Sequence, residues 1–488
     1  MKLLSSTFAI LVLAGCSAPK SEAPAAASTT PATMTITSRS PEAIEHLKKG
    51  EILAVNQRAT EAVTEFDAAL KLDPDFVLAH TARGSATPGP DGLKELEAAA
   101  AAAAASALPA AERALAEGVL AARQNEIGKA RAAYTTLTTA APGDWRGHYL
   151  LGNMLLGAAD YAGAVPALRK AVELNPAAGG ANNMLGYAAL QQGDVEGAIK
   201  AFTDYTVALP MEPNAQDSLG EALLAAGRFA DAEAAFQKAL ALSPQFFSGW
   251  DGTAYARHYA GNEKGAGEAL AREKSVATRP VDKLGADEVR AILMVAAGNR
   301  AEGTALYASL DKAPDAMPLS AFIPARRAGL LISLGRGREA MPLLAASIKR
   351  AESNELPKGL AGNLRRLALR LRAAAESAAG DAAAAQQTAS LLEQDAAERK
   401  DDVNAQSGMH YALGMAAMAR KDYAAAKGHF AQCLARDWPC QFDLTVAAEK
   451  AGDAAAADAA RQAILKLFVR DPVYAFFRSR LETKSKTS

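Results

Sequence analysis

The sequence predicts an all-α fold, an α-solenoid in which helical hairpins stack in a row. Alanine, the residue with the highest helix propensity, is abundant, whereas aromatic residues make up only 6% of the chain. The length of 488 residues exceeds what one compact core accommodates, and it suits an array that grows along one axis. The formal net charge of −1 argues against a protein that binds nucleic acid through bulk charge.

The first residues have the pattern of an export signal. Lys2 gives a positive start, and the mostly apolar stretch 3–13 is too short to span a bilayer comfortably. The sequence LAGC at 13–16 resembles the bacterial lipobox. The resemblance implies that residues 1–15 are a lipoprotein signal peptide and that the Cys16 thiol carries a lipid, which anchors the protein in a membrane. The alternative is an ordinary secretory signal with an incidental cysteine.

The segment after the cysteine is rich in Ser, Ala, Pro and Thr, and we expect residues 16–40 to form a lipidated, disordered tether. Ser17 follows the cysteine. By analogy with sorting in enteric bacteria, a residue other than Asp there favours the outer membrane. We therefore expect a lipid-anchored protein of the bacterial cell envelope, at the outer membrane and facing the periplasm.

Small and large residues recur every 34 positions along the first half of the chain. Glycine holds one position at Gly50, Gly84, Gly118, Gly152, Gly186 and Gly220. Alanine holds a second at Ala62, Ala130, Ala164, Ala198, Ala232 and Ala266. A large apolar residue follows at Phe66, Tyr134, Leu168, Phe202, Phe236 and Leu270, and proline closes units at Pro74, Pro142, Pro176, Pro210 and Pro244. Small residues let two helices cross closely and proline ends a helix, so each unit predicts a hairpin of helix A and helix B.

This pattern resembles the tetratricopeptide repeat (TPR). The resemblance implies a right-handed superhelix of about twelve hairpins with an irregular middle. Residues 41–280 are assigned to seven repeats, the second of them degenerate because TPGPDG at 87–92 shortens its helix A. Residues 281–406 predict degenerate hairpins, and 407–488 predict a final pair of repeats followed by a capping helix.

In TPR proteins, helix A lines a concave groove that binds an extended protein or peptide segment. The resemblance, carried over position by position, places the following residues in that groove: Arg146, Tyr149, Asn153, Asn183, Tyr187, Gln191, Asn214, Asp217, Glu221, Asp251, Tyr255, His258 and Tyr259. Their amides suit a peptide backbone and their rings suit its side chains. The alternative is a solvated helix face. Tyr149 and Tyr187 stand where repeats that grip chaperone C termini have Lys and Asn, so we do not expect that ligand.

A second candidate surface is the basic segment 324–372, which has eleven basic and three acidic residues. We give the name basic patch to eight arginines of this segment: Arg326, Arg327, Arg336, Arg338, Arg365, Arg366, Arg370 and Arg372. Such a patch suits glycan, lipopolysaccharide or anionic lipid. The alternative is that these charges lie on solvated faces and are balanced by the acidic stretch 376–406.

The motifs of common enzyme classes do not stand out, and we do not expect an enzyme. Asp217 and Glu221 form the carboxylate pair that a peptidoglycan-acting enzyme frame, the minor alternative, would have to use. We also expect no cofactor and no metal. The histidines His46, His80, His148 and His410 occupy equivalent positions of separate repeats, too far apart to share one ion.

Apart from Cys16, the chain contains two cysteines, Cys433 and Cys440. In an oxidising compartment they could pair across the turn ARDWP. The alternative is that Cys433 faces the interior of a hairpin and remains reduced.

Overall fold

The computed structural model describes residues 32–485, except 125, 159, 314, 315 and 401. The predicted signal peptide, Cys16 and the first part of the predicted tether lie outside the described residues. Within the described ranges the chain forms 25 α-helices, one 3-10 turn and no strand, which confirms the all-α solenoid. In the same ranges, no helix combines the length and apolar character needed to cross a membrane.

The first fourteen helices form seven hairpins that follow the predicted units. They are α1 Pro41–Val55, α2 Ala59–Leu72, α3 Val77–Ala86, α4 Gly89–Ala105, α5 Ala110–Arg123, α6 Ile127–Ala140, α7 Trp145–Gly157, α8 Tyr161–Leu174, α9 Gly179–Gln192, α10 Val195–Ala208, α11 Pro213–Ala225, α12 Phe229–Leu242, α13 Phe247–Tyr259 and α14 Glu263–Val276. The degenerate second unit has the expected short helix A, since α3 contains only 10 residues.

The remaining helices form five further hairpins and a last helix. They are α15 Pro280–Ala296, α16 Arg300–Ser309, α17 Leu319–Ser333, α18 Gly337–Glu352, α19 Lys358–Ala378, α20 Ala382–Glu398, α21 Val403–Ala419, α22 Tyr423–Phe430, α23 Trp438–Lys450, α24 Ala454–Leu465 and α25 Pro472–Ser485. The repeat pattern places Pro439 at the end of a helix B. In the structure it lies in the first turn of α23, because α22 ends early at Phe430.

Several regular hairpins are closed by a ring that lies over a glycine of the same hairpin, and in the α7–α8 hairpin Leu168 lies over Gly152 instead. A Cβ atom added to Gly186 would lie 2.5 Å from Cε1 of Phe202, and one added to Gly220 would lie 2.6 Å from the same atom of Phe236. The repeat pattern predicts that these large residues fill the space between one unit and the next. They lie first within their own unit, although Phe236 also covers Gly252 of the following one.

The array curves so tightly that its first hairpin contacts its fifth. The amide N–H of Gly180 in α9 donates to Oδ1 of Asn56 at the end of α1, over 3.0 Å. The side chain of Asn56 donates in turn to the carbonyl of Ala177 over 3.3 Å. A side chain at position 180 would collide with the carbonyl of Val55, so glycine permits this contact.

The chain also folds back on itself at its C terminus. The last helix, α25, is present as predicted, and it packs on α15 as well as on α23 and α24. Its residues Tyr474, Phe476, Phe477 and Leu481 share one apolar cluster with Leu284 and Ile292 of α15 and Trp438 and Phe442 of α23. The C-terminal helix is therefore buried between the middle and the end of the array.

Candidate peptide-binding groove

The N-terminal edge of the structure is an extended segment, residues 32–40, that we call the N-terminal strap. The sequence predicted a free tether here, but Met34 is buried and its amide N–H donates to Asp144 over 3.3 Å. The amide and hydroxyl of Thr37 both donate to Glu112, over 2.8 and 2.7 Å. Met34 and Ile36 alternate with exposed residues, so one side of the strap packs on the helices. The tether prediction is wrong for these residues.

Arg146, the first predicted groove residue, is not available to a ligand. Its guanidinium donates to Glu51 over 2.9 Å and to Asp144 over 2.7 Å, and the residue is only 8% exposed. These ion pairs join α7 to α1 and give Arg146 a structural role. Tyr149 is packed beside Trp145, and burial raises the pKa of its hydroxyl to about 12. Asn153, one turn further along α7, is exposed.

The next predicted residues form a hydrogen-bonded row from α9 to α11. Ser218 donates to Oδ1 of Asn183 over 3.1 Å. The hydroxyl of Tyr187 lies 3.3 Å from Ser218 and also donates to Glu221 over 3.3 Å. Burial is the main cause that raises the pKa of Tyr187, so its hydroxyl keeps its proton and remains a donor. Gln191 and Asn214, also predicted, are half-buried beside this row.

The following part of the concave groove is occupied by residues 466–471 of the same chain, which we call the return segment. It links α24 to α25 and is neither helix nor strand. The Arg470 guanidinium donates to Asp217 and to the Ser248 hydroxyl, each over 3.0 Å. Its Nε lies 3.4 Å from Oδ2 of Asp251. Arg470 thus bridges the helices A of two successive repeats, α11 and α13.

Phe468, two positions before Arg470, is a second anchor of the return segment. The ring centroid of Phe468 lies 4.7 Å from that of Phe229 and 5.1 Å from that of Tyr259, both edge to face. The guanidinium of Arg478 lies 3.7 Å from the centre of the same ring. Edge-to-face ring pairs and stacked guanidinium groups are favourable beyond the area they bury.

Two backbone hydrogen bonds complete the contact. The amide of Phe468 donates to the carbonyl of Ala225 over 3.4 Å, and the hydroxyl of Tyr259 donates to the carbonyl of Val469 over 2.7 Å. Ala225 ends α11, whereas Asp217 lies two turns earlier in the same helix. The return segment therefore runs antiparallel to α11 along the concave groove.

The remaining predicted residues are enclosed by this arrangement. Tyr255 is 1% exposed, and Nδ1 of His258 lies 3.0 Å from Oε2 of Glu263. The structure thus brings together the predicted residues of the sixth and seventh repeats, Asp217, Asp251 and Tyr259 among them. It fills their groove with the chain's own residues, which the sequence analysis did not foresee.

The concave groove contains more acid than base. Burial raises the pKa of Asp251 to about 6, although Arg470 acts in the opposite direction. Burial also raises the pKa of Glu273 to about 9, and the nearby Asp251 adds to the effect. Glu273 is 7% exposed, and among the described residues its Oε2 has no hydrogen-bond partner. Asp217, Glu221 and Asp251 all act on a single guanidinium, that of Arg470.

The predicted carboxylate pair does not have the geometry of a free acid and base. Asp217 is 3% exposed and is held by Arg470 and Ser248. Glu221 accepts a hydrogen bond from Tyr187. These partners fit a structural role, and they weigh against the peptidoglycan-acting enzyme that the sequence left as a minor alternative.

The basic patch is largely paired with carboxylates. The pairs are Arg326 with Glu288, Arg327 with Asp311, Arg336 with Glu339, Arg365 with Glu352, Arg366 with Asp395, Arg370 with Asp437 and Arg372 with Glu376. Arg338 is exposed. Only two of the partners, Glu376 and Asp395, come from the acidic stretch that was expected to balance the patch. This pairing favours balanced structural charges over a surface for lipid or glycan.

The two cysteines within the described residues are joined. The sulfur atoms of Cys433 and Cys440 are bonded, and their Cα atoms lie 6.4 Å apart. Because α22 ends at Phe430, Cys433 lies in a turn and can reach the first turn of α23. Elsewhere, His46 and His80 contact Glu65 and Glu95, and the described residues contain no group of three or more side chains arranged to hold a metal.

A family model for the tetratricopeptide repeat matches the chain in four overlapping stretches, 115–179, 149–213, 183–246 and 218–279. These stretches cover the third to the seventh predicted repeats. The fold is therefore an all-α solenoid that contains tetratricopeptide repeats. The comparison with curated protein sequences gives no match.

Several solved structures are similar over part of the chain. MamA from Desulfovibrio magneticus RS-1 is 19% identical, with a TM-score of 0.33, over 35% of this chain and 97% of its own. A tetratricopeptide repeat protein from Parabacteroides merdae is 16% identical, with a TM-score of 0.42, over 53% of this chain and 99% of its own. YrrB, described as a TPR protein with an unusual peptide-binding site, is 18% identical, with a TM-score of 0.26, over 42% of this chain and 89% of its own. At these levels of sequence identity, structural similarity is not evidence of a shared function.

Proposed function

We propose that this chain is a non-enzymatic, lipid-anchored scaffold of the bacterial envelope that binds an extended segment of a protein partner in its concave groove. The lipobox-like sequence at 13–16 supports the anchor, and Ser17, by analogy with sorting in enteric bacteria, supports an outer-membrane position facing the periplasm. The repeats support the binding role, because stacked helical hairpins create a long groove lined by helix A.

One observation carries the binding proposal. The concave groove already holds an extended segment, and it does so with three kinds of interaction that are typical of peptide recognition. An arginine is paired with carboxylates, a ring is packed between rings, and a backbone carbonyl accepts from a groove hydroxyl. The groove thus has the chemistry to bind a peptide.

Photocrosslinking in cells tests this function. A photoreactive amino acid at Asn153, which is exposed, or at Tyr187, which is half-buried, should capture the same envelope protein. Lys200, whose side chain on a helix B is 77% exposed, provides the matched control and should not capture it. Capture of no specific protein from either groove position, or the same set of proteins from Lys200, would refute the proposal.

A further inference from the structure

We infer that the return segment is a resident ligand of the concave groove, and that the partner competes with it through a segment carrying an aromatic residue followed two positions later by arginine. The inference rests on the proposed binding function and names the chemistry of its partner. It also assigns a regulatory role to residues 466–471, which hold the groove until a matching segment displaces them.

The burial of the return segment fits a bound ligand better than a core element. Phe468, Val469 and Arg470 are all half-buried, so one side of the segment faces solvent. The helices on either side of the segment are more deeply buried at their ends, because Ile464 in α24 and Tyr474 in α25 are both fully buried. The carbonyl of Leu467 accepts from Tyr474 and from Arg478, so Leu467 stays with α25 while residues 468–470 leave the groove.

The charge of the concave groove selects a cationic ligand. Nη1 of Arg470 donates to Asp217 over 3.0 Å, its Nε lies 3.4 Å from Oδ2 of Asp251, and Glu221 acts on the same guanidinium, so three carboxylates face one cation. An acidic segment would add like charge to this cluster and would be repelled. A basic segment, by contrast, would be attracted to carboxylates whose negative charge exceeds the one positive charge of Arg470.

The geometry selects arginine over lysine. The guanidinium meets three acceptors in different directions: Nη1 donates to Asp217, Nη2 donates to Ser248, and Nε faces Asp251. A planar fork with five donors can serve all three at once, whereas an ammonium group is a compact point charge. Lysine carries its donors on one atom and cannot match this spread of acceptors, of which Asp217 is only 3% exposed.

The aromatic position is equally defined. The ring of Phe468 lies against Phe229 and Tyr259 and next to the turn between α11 and α12. A Cβ atom added at Gly227 in that turn would lie 3.2 Å from the ring, so glycine leaves the space that the ring occupies. This site and the arginine site are two residues apart on the ligand, which fixes the spacing of the motif.

A binding experiment with the full chain tests the inference. The probe is a fluorescein-labelled peptide with the sequence KLFVRDPV, residues 466–473. The double variant Phe468→Ala/Arg470→Ala, whose own segment can no longer compete, should bind it about tenfold or more tightly than the wild type. The same peptide with lysine or alanine in place of arginine should bind this variant about tenfold or more weakly.

Matched controls keep the result interpretable. Arg436 donates to the carbonyl of Leu190 outside the arginine site, so Arg436→Ala should bind the peptide as the wild type does. Circular dichroism establishes that each variant is folded. If the double variant is not folded, Arg470→Lys takes its place and should bind the peptide more tightly than the wild type does.

Equal peptide affinity in the wild type and a folded variant, or no binding by either, would overturn the inference. A wild-type dimer that the peptide dissociates would assign the groove to a second copy of the chain, and would overturn it too. The two proposals fail separately. Peptide binding without a crosslinked partner removes only the proposed function, and a crosslinked partner without peptide binding removes only the inference.

Discussion

Replacing Gly186 with alanine should destabilise the fifth hairpin, although alanine is the better helix former. The new Cβ atom would lie 2.5, 2.6 and 2.7 Å from three carbon atoms of the Phe202 ring. Carbon atoms attract one another at about 3.5–4.0 Å, so the overlap is roughly 1 Å. The ring is 0% exposed, so it cannot move into solvent to relieve the contact.

The magnitude follows from two opposing effects. Overpacking of a well-filled core costs about 1–3 kcal/mol, whereas replacing a helical glycine with alanine gains about 0.5–1 kcal/mol. Gly267 in α14 separates them, because an added Cβ atom there meets nothing within 4 Å. Gly267→Ala should therefore show only the gain. The difference between the two variants should be about 1–3 kcal/mol in the free energy of unfolding.

Thermal unfolding followed by circular dichroism measures this difference. A change of 1 kcal/mol shifts Tm by roughly 2–4 °C in a cooperative unit of roughly 150–250 residues. In the background Phe202→Ala, which removes the ring, Gly186→Ala should become neutral or stabilising, since the two positions are in contact. If Gly186→Ala raises Tm as much as Gly267→Ala does, the proposed role of the glycine is wrong.

Three further outcomes are expected. Folded Glu273 keeps its proton up to about pH 9, whereas the unfolded chain releases it near its ordinary pKa. Raising the pH between these values therefore lowers stability through this group, by up to about 1.4 kcal/mol per pH unit, and Glu273→Gln should flatten the fall in Tm measured from pH 5.5 to 8.5. Cys16→Ser should release the chain from membranes and abolish labelling with a palmitate analogue; continued membrane association would contradict the lipobox. Alkylation followed by mass spectrometry should modify Cys433 and Cys440 only after reduction, and modification of the unreduced chain would exclude the disulfide.

The repeat pattern predicted the hairpins because their determinants are local. Gly186 and Phe202 belong to one unit, and their positions recur every 34 residues, so spacing alone identified both positions, although not the contact between them. The resemblance to the tetratricopeptide repeat led us to expect Asp217, Asp251 and Tyr259 on the groove side of helix A. It could not show what fills the groove, because Arg470 and Asp217 are 253 positions apart and the return segment has no periodicity.

A signal for the N-terminal strap was present in the sequence. In TMTIT at 33–37, apolar residues alternate with threonine, which is typical of an extended segment with one packed side. Composition alone led to the prediction of a tether.

For the basic patch, by contrast, the sequence contained no signal of the contacts that its arginines form. The contact between Arg370 and Asp437 spans 67 positions, so a count of charges within one segment could not reveal it.

The return segment is made well after the groove that it fills, and this order has a consequence for synthesis. The α11–α14 hairpins are complete by Val276, whereas residues 466–471 follow only after α24. At ordinary elongation rates, the interval between them is roughly 10–40 s. Nascent molecules therefore pass through a period in which this groove is formed and empty, before the return segment is made and closes it.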